Sequence, residues 1–402
     1  MSTTIGDPAG TEERLLTFPF LIVTLSTLAF FVYVGVMVPL VPRFVESELG
    51  GGELAIGMNL VAFSAAAILI RPLLGPIANR RGRRVLMIGG CLLAAVSGAL
   101  TGLSGNLATV LALRAVAGIG EAAQYVGAAT IIADLSPPHR RAEGASYFSA
   151  AVFGGIGIGP VFGEAILGDD RFGRAFVLGA FFTLVAAAVV LLGPERRVTP
   201  VPLPAFEPGV RQRRTPLFHP AAILPGCVLA LGIAGISTFN AFVPDHARAV
   251  GLGSSSGIFV LYSVVCLVVR LGGARIPERI GLRTALTIAL GFNATGLVVA
   301  AAIATPAGLY LATFLIAVGI SFQYPPLNAL AVNAAREEER AAVLSSFTMF
   351  FEIGVAFAGI TFGSIGELTS KRGGFLAAAG AGIAGLVLVW TVLHPEPNRD
   401  PR

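Results

Sequence analysis

Long apolar runs alternate with short polar turns from Leu15 to the end of the chain. A membrane-crossing helix needs about 20 apolar residues. Twelve runs qualify, centred near residues 29, 65, 95, 120, 156, 183, 231, 264, 294, 320, 355 and 384. The pattern predicts an all-α polytopic membrane protein of twelve transmembrane helices. One connection is longer than the rest. Gly193 to Pro220 is rich in Pro and Arg, lacks helical periodicity, and divides the spans six and six. The expected organisation is an N-terminal tail (1–14), a six-helix bundle (15–193), a linker (194–218), a second six-helix bundle (219–394) and a C-terminal tail (395–402). The first run, Leu15 to Val41, is too long for a signal-peptide core and lacks a cleavage site, so it reads as the first span.

Composition agrees with this pattern. The chain is 55% hydrophobic and 13% charged, against about 25% charged in soluble domains. Its 50 glycines suit helices that pack backbone against backbone in lipid. Of 28 basic residues only Lys371 is a lysine. They fall in short clusters between apolar runs, where nucleic acid would require one exposed basic face, so no nucleic-acid partner is expected. Short cytoplasmic loops collect Arg and Lys. The turns after even-numbered spans, with both termini, hold 19 of the 28. The opposite turns hold Arg43, Arg171, Arg174, Arg248, Lys371 and Arg372, and Arg71, Arg114 and Arg270 lie within spans. Both termini are therefore expected in the cytoplasm of a protein of the inner (plasma) membrane. Cys91, Cys227 and Cys266 are odd in number and sit in apolar runs, which argues against a disulfide framework or a metal site.

The two halves repeat. At a fixed offset of 199 residues Arg71 meets Arg270, Arg80 meets Arg279, Gly82 meets Gly281 and Arg84 meets Arg283. The same offset matches Gly120 with Gly319, Gln124 with Gln323, Tyr125 with Tyr324, and Gly155 with Gly354. Two similar six-helix halves with a substrate site between them near the midplane is a secondary-transporter architecture.

Three local patterns carry a family resemblance. "GPIANRRGRR", Gly75 to Arg84, "RAVAGIGEAA", Arg114 to Ala123, and "GIGIGPVFGE", Gly155 to Glu164, resemble the signatures of the second loop, fourth helix and fifth helix of the major facilitator superfamily. The resemblance covers nearly the whole chain. It implies the two-bundle fold, alternating access and, from the fifth-helix pattern, export of solute in exchange for protons. Two departures stand out: Asn79 replaces the loop acid, and the fifth-helix pattern ends Gly163-Glu164 instead of in paired glycines. The loop and its repeat form the expected gate, with Gly75, Asn79, Arg80, Gly82 and Arg84 in one copy and Glu278, Arg279 and Gly281 in the other. Without a charge on Asn79 the first latch is expected to be the weaker.

Arg114, Gly118, Glu121 and Tyr125 recur at spacings of four, three and four, forming one stripe on the fourth span, with Gln124 at its border. A charge at bilayer depth costs several kcal/mol, about 2.5–3.5 on insertion scales, so these residues should face a cavity, a partner or a solute; a buried ion pair between helices is the structural alternative. Burial and the neighbouring guanidinium pull the protonation of Glu121 in opposite directions. Glu121 is the first proton-coupling candidate and Glu352, in the eleventh span, the second. In the tenth span Gln323 and Tyr324 precede Pro325-Pro326, with Asn328 one turn beyond; a proline kink there would free carbonyls. Arg114, Gln124, Tyr125, Gln323, Tyr324 and Asn328 are expected to line the solute cavity, and Tyr33 and Asn240 join them by position. Gly155, Gly159, Pro160 and Gly163 read as a close-packing face that shifts during alternating access. Glu164 is expected to reach water.

Enzyme-like strings lack their context: "GSSSG", Gly253 to Gly257, sits in a turn, and "GIGEAA" lies inside a span. His139, His219, His246 and His394 lie at span ends or in loops without metal-ligand spacing. The sequence thus predicts a transporter and not an enzyme. It needs no cofactor beyond a proton gradient. Its expected partners are a small organic solute, protons and the lipid bilayer, and a monomer is expected. An uptake symporter for a small metabolite, such as an anion neutralised by Arg114, and a non-transporting sensor or scaffold of the same fold are the alternatives.

Overall fold

The structure, a computed structural model, describes residues 15–137, 140–168, 171–193, 218–273, 280–336 and 339–392. The tails, linker residues 194–217, His139, His394, Glu278, Arg279 and the side chain of Asn79 lie outside the described residues. The first six helices are α1 (Phe18–Ser47), α2 (Glu53–Arg81), α3 (Arg83–Thr101), α4 (Leu107–Leu135), α5 (Arg141–Leu167) and α6 (Phe172–Leu192). The second six are α7 (Pro220–Ala249), α8 (Ser256–Gly273), α9 (Leu282–Ala302), α10 (Pro306–Asn333), α11 (Arg340–Leu368) and α12 (Lys371–Val392). A π-helical turn, Ala358–Phe362, interrupts α11. Eleven of the twelve are long and apolar enough to cross a membrane; α8, apolar over Ser256–Arg270, is shorter than predicted among the described residues. No strand occurs among the described residues.

Short polar turns stop and restart the chain by ordinary capping. Asn106 accepts from the Thr109 amide at 2.9 Å to open α4, and Thr305 accepts from Gly308 at 3.1 Å, ahead of Pro306, to open α10. Gly82 and Gly281, repeat mates, take φ values of +92° and +81° between α2 and α3 and before α9. A side chain is strained in that region. The next arginines repeat as well: Arg84 donates to the Leu191 carbonyl at 2.6 Å and Arg283 to Trp390 at 3.1 Å. Each loop is thereby tied to the last helix of its own half. Of the predicted gate, Gly75 and Arg80 are exposed.

Within the first half α1 packs along α5 and α6, and α4 against α2 and α3; in the second, α7 packs on α11 and α12, and α9 on α10 and α12. The halves meet mainly through α2 with α11 and α5 with α8, pairs that the repeat exchanges. The glycine face of α5 packs as its spacing suggests. Gly155, Gly159 and Gly163 are pressed against the α1 backbone at Phe31, Val32, Gly35 and Val36, inside one half and not between halves. A Leu at position 159 would strike backbone that cannot turn away. Gly159→Leu is expected to lower stability by about 1–3 kcal/mol, read as a fall in Tm of the purified protein; an unchanged Tm would refute this packing role. Pro160 lies within this helix without ending it.

We call the end where α1 starts and α12 finishes the terminus face, and the other the distal face. At the distal face the halves are bolted together. Lys371 Nζ lies 3.2 Å from Glu53 and 3.8 Å from Glu46 and pairs with Asp245; Arg248 pairs with Glu46 at 3.2 Å. Glu164, expected at water, is buried instead, pairing with Arg43 at 3.3 Å and accepting from Ser255 of the other half. His246, expected in a solvated turn, is likewise buried, its ring 5.4 Å from that of Phe375. Below this layer the α2 backbone at Gly57 meets the π turn of α11 at Gly359, an approach that leaves no room for a Cβ. Toward the terminus face, Arg71 of the first half donates to Thr348 of the second.

Candidate functional site

A cavity of about 180 Å³ lies between the halves at the depth of these last contacts. Six aromatic rings stand in its walls: Phe31 of α1, Phe63 of α2, Tyr125 of α4, Phe153 of α5, Tyr324 of α10 and Phe351 of α11. The hydroxyls of Tyr125 and Tyr324, repeat mates, meet across the two halves. Phe153 packs on Tyr324 with ring centroids 4.9 Å apart.

Two acids and two arginines share this apolar space. The α4 stripe turns Arg114, Glu121 and Tyr125 toward the cavity, while Gly118 lets α4 approach the Phe63 carbonyl of α2. Glu121 is 4% exposed, and its Oε2 has no hydrogen-bond partner. Glu352, 5% exposed, comes from the opposite half and accepts from Ser64 Oγ at 2.7 Å. Arg71 acts electrostatically on both carboxyls. Its Nη1 donates to Thr348 at 3.1 Å, and its guanidinium lies 5.6 Å from the Tyr125 ring centroid. Arg114 lies over the Phe63 ring at 4.6 Å. No group of metal-ligating side chains occurs among the described residues.

Of the residues predicted to line the cavity, Arg114, Tyr125, Tyr324 and Asn240 do, with Glu121 and Glu352 beside them. Four do not. Gln124 is fully buried within its half and donates to Thr27 at 3.4 Å. Gln323 is fully buried too, donating to the Val228 and Leu229 carbonyls at 3.2 Å, in space left by Gly232. Both bridge helices of one bundle because a buried amide takes the nearest backbone or hydroxyl partner. Tyr33 packs into the gap opposite Gly98, behind the cavity wall. Asn328 is half-buried off the cavity. The two prolines leave α10 continuous, and Tyr324 is its one contribution to the lining, so no freed carbonyl from the predicted kink reaches the site.

Sequence reasoning passed over Arg71 as a site residue, along with Asn59, Ser149, Ser237 and Thr348. For Arg71 a signal existed, a lone arginine inside an apolar span. Its repeat mate Arg270 lies over Phe153 at 4.3 Å, and Phe153 is the repeat mate of Glu352. The pseudo-symmetry therefore keeps only the Arg71–Arg270 pair: Thr313, Ile320 and Phe153 stand where mates of Arg114, Glu121 and Glu352 would be, which leaves a single asymmetric charge cluster.

Comparison with known proteins places this geometry in a wider set. The family model described as Major Facilitator Superfamily matches residues 20–359 and again 278–402. An uncharacterized MFS-type transporter of Burkholderia mallei (strain SAVP1) is 26% identical over 99% of this chain and 98% of its own length. Among solved structures, the nucleoside transporter NupG is similar with a TM-score of 0.71 and 15% identity, over 92% of this chain and 98% of that one. A bacterial homolog of the human lysosomal transporter Spinster, in an inward-facing and occupied conformation, gives 0.73 and 14%, over 92% and 95%. At these identities the structural likeness concerns the fold.

Proposed function

The chain belongs to the Major Facilitator Superfamily, a multi-pass membrane transporter of small molecules, and on that premise we propose that it exports a small organic solute in exchange for protons. The observation that carries the reading is the buried cluster of Glu121, Glu352 and Arg71 in the wall of the central cavity. Two carboxyls facing one guanidinium leave one negative charge unmatched in an apolar site, and a proton is the smallest ligand that matches it. Glu121 belongs to the first half and Glu352 to the second, so the cluster is complete only while the halves meet here. Proton binding then biases the movement between them. The reading requires no cofactor beyond the proton gradient and takes the transporter as a monomer.

The arginine distribution assigns the terminus face to the cytoplasm of the inner membrane. On that assignment the distal closure makes this the inward-facing arrangement, ready to load solute from inside. The fifth-helix signature supports export over uptake.

Proteoliposomes loaded with a solute found by thermal-shift screening, and with a pH dye, test this reading. As solute leaves, exchange acidifies the lumen. Alkalinisation would mean symport, and solute efflux without any pH change would end the proton reading.

A further inference from the structure

We infer that the transported solute is a zwitterion, its anionic group received by Arg114 and its cationic group by the Glu121–Glu352 carboxyl pair. The cationic half of this inference rests on the carboxyl pair being the exchange site proposed above; the anionic half stands on Arg114 alone.

Arg114 lines the cavity and is only 8% exposed, yet no carboxylate pairs with it among the described residues, and its Nε has no hydrogen-bond partner. Its guanidinium lies over the Phe63 ring, and the Tyr33 phenol acts on it electrostatically from behind the wall. A buried cation without a counter-charge is costly. A second unsatisfied group lies at the same depth. Asn59 is 2% exposed, lines the same cavity, and its Oδ1 has no partner. Gly118 of α4 abuts Phe63 of α2, and both helices run from the distal to the terminus face, so Arg114 and Asn59 each sit one turn before that contact. A carboxylate with an adjacent N–H or O–H satisfies both.

The second pole lies nearer the terminus face. Glu121 follows Arg114 by seven residues, about 10 Å along the helix axis, and with Glu352 and Arg71 forms a cluster of net charge −1. Aromatic walls connect the poles. The cavity's four charged groups sum to zero when both acids are ionised. A plain anion or a plain cation would leave one pole unmet and add net charge to a site that must close over it. A zwitterion with an apolar body matches both poles and keeps the occupied site neutral. Proton binding at the carboxyl pair would then displace only the cationic end, which is a route to release.

The test uses the purified full chain and three matched probe series: straight-chain amino acids with the amine on the terminal carbon, the parent carboxylates and the parent amines. Thermal shift and calorimetry should show binding that strengthens as chain length approaches the pole separation, with the amino acid about tenfold tighter than either parent. Arg114→Gln should erase that advantage and Arg114→Lys restore part of it. The melting temperature of each unliganded variant reports on folding. Amines that bind as tightly as the amino acids, unaffected by Arg114→Gln, would overturn the inference. Carboxylates that bind as tightly as the amino acids, with amino-acid binding indifferent to Glu121→Gln, would also overturn it, as would no stabilisation by any member of the series. Amino-acid binding that needs Arg114 but is transported without proton movement would leave the inference standing and remove the exchange reading instead.

Discussion

Glu352→Gln and Glu121→Gln are each expected to abolish solute accumulation driven by a proton gradient while leaving exchange of labelled for unlabelled solute measurable. The amide keeps the size of the carboxyl, and at position 352 it keeps an oxygen for the Ser64 hydroxyl. What it cannot do is carry a negative charge or take up a proton. Arg71 would then face one carboxyl instead of two, and the charge imbalance that invites the proton disappears. A loss of at least about tenfold in the driven rate, ~1.4 kcal/mol of coupling, is expected from either change. The two should be far from additive, because the acids act as one cluster. Uptake in inside-out vesicles at several imposed gradients measures this. Full gradient-driven transport in both variants would remove these acids from the mechanism.

The second large effect is expected at the opposite end of the cavity. Lys371 of the second half reaches Glu46 and Glu53 of the first, as well as Asp245 beside it. Lys371→Glu would set a fourth carboxylate among these three and leave Arg248 as the nearest cation. Repulsion across the seam then opposes distal closure. Side chains here are partly wet, Lys371 at 26% exposure, so solvent and salt weaken each term. Several terms act together, and a shift of about 1–3 kcal/mol, roughly 5–150-fold in the ratio of closed to open forms, is the expected scale. Spin labels at Glu48 and Ser254, exposed distal positions in opposite halves, should report a longer distance in the variant, and the increase should shrink at high salt. An unchanged distance distribution would show that the glycine contact between Gly57 and Gly359 holds the face closed without the ions.

These two tests bear on residues of unequal visibility in the sequence. The stripe on α4 could be read from spacing alone, since a helix turns residues at intervals of three and four onto one face whatever surrounds it. That places Arg114, Glu121 and Tyr125 together before any neighbour is known. Gln124 and Gln323 show the limit of such reading. They are repeat mates on the equivalent helices α4 and α10, but their amides are captured inside their own bundles by Thr27 in one case and by two α7 carbonyls in the other. Spacing does not distinguish a polar group that faces solute from one that bridges two helices. Tyr33 left the cavity for a similar reason: a glycine on α3 opened a space behind it.

Sequence by itself determined the apolar runs, the break between two six-helix sets, the repeat at a fixed offset and the family signatures, because hydrophobic length, helical period and glycine backbone freedom are local properties of the chain. It did not determine the partners of the charges. Arg71 meets Thr348 and acts on Glu352 across 281 residues of sequence, as 352 less 71 shows, and Glu164 finds Ser255 in the other half. Only the tertiary structure decided which buried charges share a counter-ion and which, like Arg114, are left facing the cavity. That outcome depends on how the two bundles dock, and the docking is set by shape and electrostatics summed over whole helix faces, which no single stretch of sequence contains.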